Sequence, residues 1–356
     1  MTNLSRPTGG LNADARLGGI AARDKNLFRL IIMMVFVFVL ASSLKPDIFL
    51  RGNNFISMAK QFPEYGIMAI GISLTMITGG IDLAVVGTAN LTAIIAAKFL
   101  MATVPKGAPT GHTVAMIIAA VLIALATGIA AGSINGFFIS KIGIPAILTT
   151  LGTQQLFTGI AIVLTEGKPL SRLPILYSKI GNKNLFGAIP VPLVIYILVA
   201  VTVGILLSKT RFGTQVYMLG TNENAARFSG LNNTWITIRT YAISGLLSAV
   251  AGLIMMARAN SAKADYGAAY TLQCVLIAVL GGVNPNGGFG TVQGVTVAVL
   301  ILQFLSSGLN MFENVSNFYR DLIWGGVLIL VLIFNYAINK REENRLLKIS
   351  IQDPKQ

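Results

Sequence analysis

The stretch ITGGIDLAVVGTANLTAII, residues 77–95, passes from one apolar run to the next through a glycine pair, Gly79 and Gly80, and a single carboxylate, Asp82. Inside a bilayer such a break strands backbone N–H and C=O groups, so it is tolerated only where protein or a water-lined cavity satisfies them. A second stretch, VLGGVNPNGGFGTVQGVTVAVLI, residues 279–301, repeats the order of apolar helix, glycine pair (Gly281, Gly282), polar break and small-residue helix. The copies fall in the second-to-third and eighth-to-ninth expected spans. Halves of about five spans each, an odd number, set them in inverted topology, a common transporter construction.

Outward from these breaks the chain is overwhelmingly apolar. Of its 356 residues 54% are hydrophobic and 11% charged, and the mean hydropathy is +0.72. A soluble globular enzyme is excluded. At about 20 apolar residues per crossing the chain supplies roughly nine or ten spans. Apolar runs fall at 28–44, 65–78, 83–102, 114–139, 146–164, 191–207, 238–256, 272–280, 292–308 and 322–338. The runs at 65–78 and 272–280 are too short to cross without their polar flanks, which reads as broken or tilted helices. The expected fold is an all-α polytopic membrane protein of about ten transmembrane helices in two inverted five-helix repeats, with broken or re-entrant helices.

Residues 1–27 read as a disordered cytoplasmic leader, 28–339 as the transmembrane domain and 340–356 as a cytoplasmic tail. The first apolar run exceeds a signal-peptide core and no convincing cleavage site follows, so it is expected as an uncleaved span. The 27 Lys and Arg against 13 Asp and Glu give a net charge of +14, carried mainly in termini and connections. That distribution is the orientation signal of membrane proteins, and nucleic-acid binding is not expected. With the N-terminus inside, fifteen basic residues fall inside and twelve outside. The bias is modest, and orientation rests on the basic N-terminal flank. Both termini are then cytoplasmic.

One His and one Cys rule out a His-pair metal site and an internal disulfide. No phosphate-binding G-x-x-x-x-G-K-[ST] loop is present, because Gly167-Lys168 runs into Pro169. No catalytic, cofactor or metal site is expected on this chain. Asp82, alone among apolar residues, either caps the resumed helix or contacts a solute. Asn90, Gln154, Gln155, Gln273 and Gln303 are neutral hydrogen-bonding groups within spans, suited to a polyhydroxylated solute or to interhelical bonding. The candidate translocation path is therefore Gly79, Gly80, Asp82, Asn90, Gln154, Gln273, Gly281 and Gly282. Gly128, Gly132 and Gly136 share one helix face, where small residues let backbones approach.

The most informative connection lies within 208–237 and includes SKTRFGTQVYMLGTNENAARFSGLNNTW, residues 208–235. Asn222 can cap a helix over 223–229, Glu223 complements its positive first turn, and Gly230 ends it. A helix about 10 Å long is marginal in water by itself. Its face of Ala225, Ala226 and Phe228 needs something to dock against, either the protein's own helix ends or a separate subunit.

From about Leu40 to Asn339 the chain resembles the permease subunit of bacterial ATP-binding-cassette importers for simple sugars, the ribose and galactose type. The motifs are Gly79-Gly80-Ile81-Asp82-Leu83; Ile144-Pro145 with Thr149-Thr150-Leu151-Gly152-Thr153; Lys209-Thr210-Arg211-Phe212-Gly213; Gly220-x-Asn222-x-x-Ala225-Ala226-Arg227-x-Ser229-Gly230; and Gly281-Gly282 with Gly287-Gly288-x-Gly290. The resemblance implies a coupling helix at Asn222, Glu223, Ala225, Ala226, Arg227, Phe228, Ser229 and Gly230 that seats on a cytoplasmic ATPase, the subunit that binds ATP and Mg. It also implies a second permease copy, a periplasmic sugar-binding protein and the bacterial inner membrane. Two departures, Ala84-Val85-Val86-Gly87 for the family's shorter Ser-Val-Gly and Thr271-Leu272-Gln273-Cys274 where acidic residues are common, allow solutes other than ribose or galactose, such as a nucleoside, an autoinducer or a sugar alcohol. The rival classes are an ion-coupled secondary transporter, which normally needs more buried carboxylates, and a passive channel or scaffold.

Overall fold

Long apolar segments, rich in Val and Ile though they are, leave the backbone in lipid no partner but itself, and the chain answers with helices throughout. The computed structural model describes residues 13–311 apart from 106, 172 and 186, together with 322, 325, 326, 329 and 333. In order, the helices are α1 (Ala13–Leu44), α2 (Pro46–Phe49), α3 (Gly52–Ile77), α4 (Val85–Thr103), α5 (Thr110–Phe137, ending in a π-turn at Phe138–Ile142), α6 (Ala146–Thr165), α7 (Ile175–Asn182), α8 (Val191–Lys209), α9 (Arg211–Thr221), α10 (Glu223–Phe228), α11 (Asn233–Ala259), α12 (Tyr270–Leu280) and α13 (Val292–Leu309). Four two-residue strands, β1 (Leu170–Ser171), β2 (Asn184–Leu185), β3 (Ile189–Pro190) and β4 (Ser261–Ala262), form two antiparallel ribbons, β1 with β4 and β2 with β3.

Among the described residues seven helices are long and apolar enough to cross a bilayer: Asn26–Leu44, Val85–Thr103, Thr110–Ile142, Ala146–Thr165, Val191–Lys209, Asn233–Ala259 and Val292–Leu309. The short run expected at 65–78 is instead the second half of α3, a helix of 26 residues that begins at Gly52 and carries Pro63 in its interior. At about 1.5 Å per residue it is long enough to cross, and the break falls after it rather than within it. The α12 helix, 11 residues long, is as short as its sequence suggests. The α1 helix starts at Ala13, inside the stretch expected to be a disordered leader. Residues 1–12 and the tail 340–356 lie outside the described residues, and the expected span 322–338 is described at only a few positions.

The centre of the bundle is α11, which packs against α5, α3 and α4. Its contact with α5 is set by glycine. Gly128, Gly132 and Gly136 face Gly245, Tyr241 and Ile238, and a Cβ on Gly136 would lie 2.6 Å from the Ile238 Cα. A Cβ on Gly132 would overlap the Tyr241 carbonyl, so the two backbones touch there. This is the small-residue packing expected between membrane helices. By contrast Gly152, on α6, has nothing near it.

Replacing Gly132 by Ala must push α5 and α11 apart. Gly132→Ala is expected to destabilise the purified protein by about 1–3 kcal/mol, the usual scale of overpacking, while Gly152→Ala leaves it unchanged. Thermal unfolding of the two variants in detergent compares them directly.

Candidate functional site

The first glycine break is closed by its own neighbours. Gly79 adopts φ +87, open to glycine without steric cost, and turns the chain out of α3. Asp82 is 2% exposed. Its Oδ2 accepts from the Ser244 hydroxyl of α11 at 2.7 Å and its Oδ1 from the Ala84 N–H at 3.0 Å. Its own N–H donates to Thr75 Oγ1 at 3.2 Å, and the Thr150 hydroxyl of α6 donates to the Ile81 carbonyl at 3.0 Å. Asp82 thus satisfies the N–H just ahead of α4 and ties the break to α11. The Tyr241 hydroxyl sits over Gly80, where any side chain would strike it, and has no hydrogen-bond partner among the described residues.

The second break comes to the same place. The Gly288 N–H donates to the Ile77 carbonyl at 2.9 Å, closing the last turn of α3. A Cβ on Gly287 would lie 2.6 Å from the Gly220 carbonyl and 3.0 Å from the Gly79 Cα. Three backbones, from 77–79, 220 and 287–288, therefore meet with no room for a side chain. Because the α3 end and the loop after α12 meet at one end of the bundle, these two sequence copies lie side by side. Inversion, which would set them at opposite ends, does not relate this pair.

The remaining path candidates divide. Gly281 packs on the α13 backbone, 2.7 Å from Val295 N to a Cβ placed on it, and Gly282 follows it into the second break. Gln154 is half-buried on α6, its carbonyl against Gly87. Gln273 is buried in α12. Asn90 lies elsewhere: its amide donates to the Ala264 and Tyr266 carbonyls, both at 2.9 Å, holding the segment between α11 and α12.

Beside the breaks lies the surface built by 208–237. The α9 helix, which the sequence reading leaves as loop, is capped by Thr210 Oγ1 on the Gly213 N–H at 3.3 Å and buries Val216 and Leu219. The α10 helix is capped by Asn222 Oδ1 on the Ala225 N–H at 2.9 Å. It ends at Gly230, φ +84, with the Leu231 N–H bonded to the Ala226 carbonyl at 3.2 Å. The Ser229 hydroxyl also donates to the Ala226 carbonyl, and Asn233 Nδ2 to the Glu223 carbonyl at 2.9 Å. The expected single docking face is split. Ala226 is 2% exposed and packs into the protein's own core, whereas Phe228 is 90% exposed; Glu223, Ala225 and Arg227 are exposed too. An open groove of about 570 Å³ runs between the end of α8, α9 and α10, lined by Thr214, Tyr217, Met218, Asn222 and Ala225.

The sequence reading missed one cluster. Glu64, expected in a connection, is fully buried on α3 and makes a two-pronged ion pair with Arg258 of α11. Arg258 Nη2 also donates to the Tyr266 hydroxyl at 3.0 Å. Nearby the Tyr65 hydroxyl bonds Gln303 Oε1, and the Cys274 thiol donates to the Tyr65 carbonyl at 3.2 Å. The available signal was a lone carboxylate in helical register with the apolar residues that follow it, in front of Tyr65.

A bundle of apolar helices, unwound at two glycine pairs beside a surface-displayed short helix, is a membrane permease. The chain belongs to the family described as the branched-chain amino acid transport system permease component, whose pattern matches residues 54–332. It is 33% identical over 302 residues to the ribose import permease protein RbsC of Bacillus subtilis, covering 85% of this chain and 90% of that one. It is 33% identical over 327 residues to RbsC of Escherichia coli, covering 90% and 94%. It is 30% identical over 316 residues to the autoinducer 2 import system permease protein LsrD of Yersinia pseudotuberculosis, covering 87% and 90%.

Removing one member of the buried pair leaves the other charge without a partner. Glu64→Leu is expected to cost about 3–5 kcal/mol, and the double variant Glu64→Leu/Arg258→Met to recover most of it, because an apolar pair replaces both charges. Chemical unfolding of the detergent-purified variants gives both values.

Proposed function

We propose that this chain is the transmembrane permease subunit of an ATP-driven, binding-protein-dependent importer for a monosaccharide or related polar neutral solute. The observation that carries the proposal is α10: a self-capped helix held on one side by the protein's own core at Ala226 and presenting Phe228 bare on the other. Phe228 stands beside the groove formed by the end of α8, α9 and α10, and an aromatic anchor next to a groove is what a docked partner subunit would cover. The family membership supports a cytoplasmic ATPase as that partner, a periplasmic sugar-binding protein on the opposite face and a second copy of this chain beside it in the bacterial inner membrane, the chain's own termini both being cytoplasmic. The ribose and autoinducer 2 permeases among the relatives support a small, neutral, hydroxyl-rich solute.

We read ten spans in this sequence, adding α3, α12 and the apolar run 322–338 to the seven apolar helices among the described residues. Five-helix halves of opposite sense would then have to be matched on segments other than the two glycine breaks. ATP is bound and hydrolysed on the partner, and this chain carries out no covalent step. Nucleotide acts by favouring one facing state over the other, since a ligand that binds both equally shifts nothing. Among the described residues the two buried carboxylates are already committed, Glu64 to Arg258 and Asp82 to Ser244 and Ala84, which disfavours ion-coupled transport.

Phe228→Glu and Arg227→Glu are expected to abolish solute uptake and ATPase co-purification while leaving membrane insertion intact. Ala226→Glu, by contrast, is expected to reduce the amount of folded protein, since its side chain points inward. Uptake assays alongside affinity purification of the assembled complex read both effects, and uptake with normal ATPase association in Phe228→Glu would reject the coupling role of α10.

A further inference from the structure

Residues 260–269, between α11 and α12, carry almost no regular structure: β4 pairs with β1, Leu170 opposite Ala262 and Ser171 opposite Ser261, and a run of turns follows. This segment is recessed. The Tyr266 hydroxyl bonds Arg258, whose partner Glu64 lies near the middle of α3, with residues 52–63 of that helix still beyond it. The Tyr266 carbonyl bonds Asn90, and α4 runs on through 91–103 past that point. At about 1.5 Å per residue the part of the segment held by these bonds, 264–266, sits some 18–20 Å short of the ends of α3 and α4, measured along their axes, while β4 rises back toward the end of α4 through its pairing with β1. Yet Lys263 and Asp265, 4.0 Å apart, are both exposed on it. Two charged side chains and irregular backbone at that depth are not compatible with lipid contact, and they require a water-filled space.

We propose that 260–269 forms the wall of a water-filled vestibule open to the side away from α10, with Lys263 and Asp265 as contacts for a polyhydroxylated neutral solute. The proposal deepens the importer reading and rests on it for the solute. The loosely paired ammonium and carboxylate offer donors and acceptors together, the chemistry that holds neighbouring hydroxyls. Asn90 and the Glu64–Arg258 pair are positioning residues: they hold the segment through its carbonyls and through Tyr266 without facing the space themselves.

The test uses the full-length chain in whole cells with Cys274→Ser as background and single cysteines at Lys263→Cys, Asp265→Cys and, as a lipid-facing control, Val163→Cys. A membrane-impermeant maleimide added outside should label both segment cysteines at least tenfold faster than the control. Labelling no faster than the control, or only from the cytoplasmic side of inverted vesicles, overturns the vestibule. Asn90→Ala should raise labelling at half-buried Ala264→Cys at least threefold without changing Asp265→Cys, whereas equal effects at both positions reject the positioning role. With D-ribose as probe, Asp265→Asn and Lys263→Gln should raise the half-saturating uptake concentration at least fivefold at unchanged expression, and an unchanged value rejects solute contact. Absence of wild-type uptake for ribose would reject it as the solute while the labelling arm still decides the vestibule.

Discussion

A bilayer offers no hydrogen bonds, so every place where this chain unwinds inside its bundle must be closed by the protein's own groups or by water held in a cavity. The structure depends on how that demand is met. After α3 the closing groups are Asp82, Thr75, Thr150 and the Gly288 N–H; after α12 the same neighbourhood supplies the α3 carbonyl of Ile77. The third irregular segment, 260–269, is closed by Asn90 and Arg258. At the first and third of these a polar side chain that would be costly in lipid becomes useful, because it replaces a missing helical partner; at the second, backbone bonds backbone.

These closures converge on α3 and α11. The break after α3 is joined to the middle of α11 through Asp82 and Ser244, and the middle of α3 to the last turn of α11 through Glu64 and Arg258. The α11 helix begins at Asn233, whose amide holds the α10 backbone, and runs unbroken to Ala259. A continuous helix therefore links the displayed surface of α10 to the recessed segment beyond Arg258, with glycine contacts to α5 between Ile238 and Ala249. Close backbone packing of this kind resists bending and favours movement of α11 as a unit.

Much of this was legible before any coordinates. The breaks at Gly79-Gly80 and Gly281-Gly282, the shortness of α12, the glycine face of α5 and the Asn222-to-Gly230 helix all follow from local rules of hydrophobic length, capping and small-residue spacing. The Glu64–Arg258 pair was not legible, because its members are 194 positions apart and each, read locally, belongs to a polar connection. For the same reason α3 was cut short at Tyr65: a helix that carries Lys60, Pro63 and Glu64 is stabilised by burial against other helices rather than by its own apolarity. The relation between the two breaks was misread as inversion, since sequence likeness gives the order of elements and says nothing about which end of the bundle they reach.

By itself the sequence determined that the chain crosses a membrane many times, where its helices break and where a short capped helix is displayed, because bilayer thickness and backbone hydrogen bonding act on local stretches. Only the tertiary structure decided which way individual side chains turn: Ala226 inward and Phe228 outward on one short helix, the Asn90 amide onto the carbonyls of the segment between α11 and α12, Glu64 onto Arg258. Those outcomes depend on partners far away in the chain, and a partner exists only once the helices have packed.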